Sequence, residues 1–263
     1  MLSLFTSSLF LSGAVAAIVG GMTCKRFGRK VTMMAGGAAF GIGTALVAGA
    51  QEIVMLVLGR VVLGVGVGFA TMATPLYLSE MAPHNIRGAL NIMFQLAVTI
   101  GIFGAQLINY ITLNIPEYGW RISLALGGVP ALLLFFGSIL LPDTPNSLLA
   151  RGHPEESRAV LQRIRGTHDV DAEFEDIKTA VLSSNAITNP YRNLLRRRHW
   201  PQLVMSILLP LFQQFTGINA IMFYAPQMFQ AAGQSSSDSL MSTVIVGAVN
   251  VGSTLIAIAI VDR

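Results

Sequence analysis

Leu2–Gly21, Val31–Ala50, Ile53–Leu76, Ala89–Ile111, Ile122–Leu141, Leu203–Phe229 and Leu240–Val261 are apolar runs, each holding at most one charge. Each is about 20 residues or more, and at the rise of an α-helix about 20 apolar residues cross the hydrocarbon core of a bilayer. The pattern predicts about seven transmembrane helices in an all-α membrane protein. The first run has no basic segment ahead of it, and its basic cluster, Cys24–Lys30, follows it. That order fits a membrane span and not a cleaved leader.

The long polar interval Pro142–Trp200 divides five runs from two. Two prolines, Pro142 and Pro145, end the fifth run. Pro154–Arg165 reads as a short amphipathic helix, with Val160, Leu161 and Ile164 on one face and Glu155, Glu156, Arg158 and Arg163 around them. Asp171–Leu182 is a second helix by the spacing of Phe174, Ile177 and Val181. The reading is therefore a first bundle over 1–141, a cytoplasmic helical linker over 142–200, and the start of a second bundle over 201–263.

Small residues recur within the spans: Gly36, Gly37, Gly41 and Gly43 in the second, and Gly59, Gly64, Gly66 and Gly68 in the third. In lipid such stripes let helices approach closely. The sixth run is interrupted by Pro210, Gly217 and Pro226, with Gln213, Gln214 and Asn219 between them. A backbone broken at membrane depth must face protein or a wet cavity, and interrupted spans point to a transport site.

Charge placement orients the spans. Lys25, Arg26, Arg29 and Lys30 share one connection, Arg87 lies in another, and Arg151 to Arg198 supply nine more basic residues in a third. The alternate connections near Gln51–Glu52, Asn114–Gly119 and Gly233–Ser239 hold no Lys or Arg. The basic connections are cytoplasmic by the positive-inside rule. The net charge of +4 is thus topological and implies no nucleic-acid partner. With Cys24–Lys30 inside, Met1 begins outside, so a further span is expected ahead of it and more beyond Arg263. One cysteine, Cys24, makes no internal disulfide, and His84, His153, His168 and His199 have no metal-ligand spacing. Neither a nucleophile–base pair nor a phosphate loop is present, so no enzyme and no cofactor are expected.

Intramembrane polar groups are costly and usually face an interior or a cavity. The candidates are Arg60, Gln95, Gln106, Asn109, Gln213, Gln214, Asn219 and Asn250. Amides suit a neutral polyol, because each offers donors and an acceptor without a charge to compensate. The Gln213–Asn219 cluster is read as functional, with the break swinging Asn219 toward the glutamines. Gln106 and Asn109, near a span end, are read as helix bridges. Arg60 lies about seven residues into its span with no Asp or Glu at membrane depth in this sequence. It either snorkels outward or pairs with a carboxylate elsewhere, and a titrating partner would couple protons to movement.

Gly28-Arg29-Lys30, Gly59-Arg60, Glu80 through Arg87-Gly88, Pro142-Asp143-Thr144-Pro145 and Gln213-Gln214-Phe215-Thr216-Gly217-Ile218-Asn219 form an ordered set. It resembles the sugar porter family of the major facilitator superfamily. In detail the chain is similar to the plant and algal hexose–proton symporters. The resemblance implies a major facilitator fold of two six-helix bundles, of which this sequence supplies about helices two to eight. It implies that Gln95, Gln213, Gln214, Asn219 and Asn250 bind a monosaccharide. It also implies that Arg60 partners a proton-coupling aspartate on the first helix. Arg29, Glu80 and Arg87 are implied to form inter-bundle salt bridges at the cytoplasmic face. The implied protein is a monomeric plasma-membrane hexose carrier with sugar, protons and lipid as its partners. A facilitative sugar or polyol carrier on the same fold, or a non-transporting sugar receptor or inactive truncated product, is the alternative. Two departures stand out: Lys25 occupies the place of the family's loop aspartate, and Asn146 replaces the arginine after the second proline.

Overall fold

The computed structural model describes residues 2–113, 115, 118–185 and 199–261. Asn114, the basic residues Arg192, Arg196, Arg197 and Arg198, and Asp262–Arg263 lie outside them. The described residues form helices and short connections, with no strand. Seven helical segments are long and apolar enough to cross a membrane.

α1 (Leu2–Phe27) and α2 (Arg29–Ala48) are joined by Gly28 alone. The basic cluster is therefore not a loop: Lys25 and Arg26 end one helix, and Arg29 and Lys30 start the next. α3 (Ile53–Met81) carries Pro75 inside it and ends before Pro83, where a single 3-10 turn (His84–Ile86) leads into α4 (Arg87–Thr112). The fifth apolar run forms two helices, α5 (Gly119–Leu126) and α6 (Gly128–Leu140). Adjacent glycines at 127 and 128 weaken the helical backbone there, and the Gly127 N–H turns to the Leu124 carbonyl at 3.2 Å.

Three helices fill the polar interval. α8 (Pro154–Arg165) and α9 (Asp171–Asn185) match the two expected, with Leu161 of α8 buried. The third, α7 (Pro145–Ala150), is an addition, capped by Thr144, whose hydroxyl accepts from the Ser147 N–H at 3.2 Å. The sixth span is split into α10 (Trp200–Phe215) and α11 (Ile218–Ala231), and α12 (Ser236–Val261) follows.

Glycine sets how these helices touch. α3 lies between α1 and α2. A Cβ on Gly66 would stand 2.8 Å from the Gly36 carbonyl of α2, and one on Gly64 would stand 2.4 Å from the Leu9 carbonyl of α1. Opposite sides of one helix thus meet backbone on both neighbours, the contact that lipid-embedded helices favour. Gly41 departs from the expected stripe, with nothing within 4 Å. Large apolar side chains such as Leu133 and Leu140 are exposed on the outside, as a lipid-facing surface requires. α12 runs against α4, where a Cβ on Gly247 would come within 2.1 Å of Gln106 Oε1.

Candidate functional site

The break in the sixth span centres on Gly217, whose φ of 71° lies in the left-handed region. The Thr216 hydroxyl folds back to the Gln213 carbonyl at 2.6 Å, and the Gly217 carbonyl accepts from Ile221 to begin α11. Across this turn Asn219 Nδ2 donates to Gln214 Oε1 at 2.9 Å. The pair leaves the Gln214 NH₂ as a donor and the Asn219 oxygen as an acceptor. Two groups of opposite sense side by side are what adjacent hydroxyls on a polyol need. Both residues, and Gln213, are exposed within a segment that ought to be buried in lipid. The neighbouring Phe212 and Phe215 are exposed as well, so the whole segment lies at the surface of the described residues.

The remaining predicted amides divide. Gln95 is exposed on α4 and Asn250 half-buried on α12, on two helices that pack together. Neither hydrogen-bonds the Gln214–Asn219 pair. Asn109 Oδ1 accepts from the Ser123 hydroxyl, which bridges α4 to α5. Gln106 Oε1 is buried with no hydrogen-bond partner, so its amide is packed without bridging.

Arg60 has an aromatic neighbour. Its guanidinium stands 3.7 Å from the centroid of the Phe5 ring, while Nε is buried without a partner. A cation over a ring face gains roughly 0.5–2 kcal/mol, most when desolvated. The group opens on a cavity of about 380 Å³ between α1, α3 and α11. Sequence reasoning sought a carboxylate for Arg60 and missed Phe5, although an aromatic one turn from Leu9 on an adjoining span was in view.

At the end of the spans where α2 begins, Arg29 Nη2 meets Glu80 Oε1 at 2.6 Å, and both side chains are largely buried. Thr144 Oγ1 holds the other carboxylate oxygen at 2.5 Å. Arg29 and Glu80 belong to neighbouring helices of the first five spans. The contact observed therefore joins the start of α2 to the end of α3. Arg87 is exposed at the head of α4, away from this pair.

Asp143, named in the sequence only as a retained acid, is the centre of a polar junction. Its Oδ1 accepts from the N–H groups of Arg29 at 3.1 Å and Lys30 at 3.4 Å. It also accepts from Thr144 N at 2.9 Å and Ser147 Oγ at 3.1 Å, and pairs with Arg151. A carboxylate thus sits on the positive end of α2, where the helix dipole favours it. The acid comes from just beyond α6, a helix that packs against α2. Arg151 also donates to the Phe27 carbonyl, at the negative end of α1. Arg165 clasps Glu173 at 2.6 Å and donates to the Met81 and Ala82 carbonyls at the end of α3. The Glu173 hydrogen bond holds the Arg165 guanidinium above its ordinary pKa. These contacts tie α7–α9 to the ends of α1, α2 and α3.

Seven long apolar segments, one of them broken and carrying amides at the break, define a multi-pass membrane protein of carrier architecture. The chain belongs to the family described as sugar (and other) transporters, whose model matches residues 1–263. It is 53% identical over 264 residues to sugar transport protein MST8 of Oryza sativa subsp. japonica, covering all of this chain and 52% of that protein. With sugar transport protein 13 of Arabidopsis thaliana it shares 54% over 263 residues, or 50% of that protein. The chain therefore spans about half the length of the curated relatives it matches. The major facilitator proton:xylose symporter XylE bound to 6-bromo-6-deoxy-D-glucose superposes with a TM-score of 0.88 at 28% identity, covering all of this chain and 59% of that one. For the inward-open conformation of XylE from E. coli the score is 0.76 at 26% identity, covering 98% of this chain and 58% of that one. The arrangement is nearer the former.

Proposed function

We propose that the protein carries a monosaccharide, a hexose, across the plasma membrane by alternating access, and that the movement is coupled to protons. The observation that carries this reading is the Asn219–Gln214 amide pair across the Gly217 break, at membrane depth. An anionic substrate would call for cations beside it, and the break is lined by neutral amides. The names of the relatives support sugar as the substrate class, and the likeness to XylE, a proton:xylose symporter, supports proton coupling.

In this reading Gln95, Gln213, Gln214, Asn219 and Asn250 hydrogen-bond the sugar. Arg60 tunes a proton-coupling carboxylate. Arg29 and Glu80 keep the cytoplasmic end of the first bundle in one arrangement, and Arg87 is placed to meet the second bundle as the carrier changes state. The units are a bundle over 1–141, a linker over 142–200 and a second bundle over 201–263, working as a monomer. Equilibrium binding of a hexose to protein purified from its complete coding sequence tests the site. Binding should be weakened by Gln214→Ala; binding unaffected by Gln214→Ala and Asn219→Ala together would remove these amides from the site.

A further inference from the structure

We infer that Gln106 is a release group for the carried sugar: in the alternate state its amide oxygen leaves Gly247 and takes the Asn250 amide N–H that the sugar uses in this one. The inference rests on the carrier reading above, in which Asn250 is among the groups that hold the sugar. In that reading α4 belongs to the first bundle and α12 to the second, so the contact between them has to change whenever the bundles rock. That contact carries two polar groups without partners. Gln106 Oε1 is buried with no hydrogen bond. Asn250, three residues beyond Gly247 on α12, is half-buried, and its side chain makes no hydrogen bond to a described residue.

A glycine gives the oxygen its present seat. A Cβ at 247 would lie 2.1 Å from Gln106 Oε1 and 3.3 Å from Cδ2 of Phe103, which stands one turn before Gln106 on α4. Only a residue without a side chain lets the amide lie there, and glycine inside a helix is otherwise a cost. The nearby hydroxyls of α12 are engaged: Thr243 donates to the Ser239 carbonyl at 2.8 Å, and Thr254 to the Asn250 carbonyl at 2.9 Å. The Asn250 NH₂ is the donor left for the oxygen. Residues three apart share a helix face and are separated by about 4.5 Å along the axis. A shift of that order, divided between helix movement and the flexible Gln106 side chain, brings oxygen and amide together. One hydrogen bond then replaces another at Asn250, so letting go of the sugar strands no donor, and the oxygen loses the penalty of being buried unpaired.

Gln106→Leu keeps much of the bulk of the side chain and removes the acceptor. In protein expressed from its complete coding sequence it should lower kcat for hexose uptake by about 3- to 10-fold, the size of one neutral hydrogen bond, with KM unchanged or lower. Equilibrium binding of glucose to the purified variant should be tighter than to the unmutated protein, because nothing then competes for Asn250. A merely structural role for Gln106 would not tighten binding. Added to Asn250→Ala, Gln106→Leu should change neither quantity. An unchanged kcat, binding that is unchanged or weaker, or effects that persist in the Asn250→Ala background would each overturn the release role. Unmutated protein that binds no hexose would instead refute the carrier reading, so the two failures are distinguishable.

Discussion

Asn219 and Gln214 lie on different helices of one interrupted span, yet their side-chain amides meet at 2.9 Å because Gly217 turns the chain between them. The hydrogen bond fixes the orientation of both amides and so determines which group each offers to a ligand. Removing either should weaken hexose affinity by about fivefold, the worth of about 1 kcal/mol of neutral hydrogen bonding. Because the two act as a pair, the double Ala variant should cost less than the sum of the singles. Binding isotherms of the four proteins measure this, and strict additivity would show the pair to be uncoupled.

The turn itself is a backbone requirement. A Cβ at Gly217 has nothing within 4 Å, so Gly217→Ala meets only the strain of a left-handed φ, roughly 1–2 kcal/mol. At Gly28, φ is +94° and a Cβ would also lie 2.0 Å from Asp143 Oδ2. Gly28→Ala should therefore lower the melting temperature of the detergent-purified protein more than Gly217→Ala does. The reverse order would mean that Asp143 does not seat on α2 as described.

Glu80 has two partners, Arg29 and Thr144. Arg29→Ala strands a largely buried carboxylate and should cost about 3 kcal/mol, the lower end for a broken buried pair because Thr144 remains. Glu80→Gln keeps an acceptor for Arg29 and turns an NH₂ donor toward the Thr144 hydroxyl, and should cost less. Thermal melting of both variants decides it, and equal small losses would mean that water already screens the pair.

Gln106 Oε1 is buried without a partner against Gly247. An unpaired buried oxygen is a penalty of roughly 1–3 kcal/mol. Gln106→Leu should therefore be neutral or raise the melting temperature, unlike most changes at a helix interface. A clear loss of stability would point to a hydrogen bond at Gln106 in another state of the carrier.

The membrane spans were legible because lipid imposes its rule locally: a spanning helix must be a long apolar run, whatever its neighbours. The break at Gly217 was legible for the same reason, as polar and helix-breaking residues stand out against such a run. The cytoplasmic face was not. Asp143 reaches the start of α2 and Arg165 the end of α3 through contacts between segments remote in sequence, which no local pattern encodes. α7 carried a signal, Thr144 as cap before Pro145 at the first position, but its six residues were too few for a periodicity to register. The pairing of Arg29 with Glu80 was not legible either, because residue types far apart in sequence do not say which partner each charge takes.

The most direct test of sugar carriage is uptake of radiolabelled glucose by yeast lacking its own hexose carriers and expressing the protein from its complete coding sequence. Uptake is compared at acidic and alkaline external pH and with a protonophore. A proton-coupled carrier should show saturable uptake that is faster at acidic pH, collapses with the protonophore and falls with Gln214→Ala. Uptake indifferent to pH and protonophore would contradict proton coupling. Protein that reaches the membrane and moves no hexose would contradict the central claim.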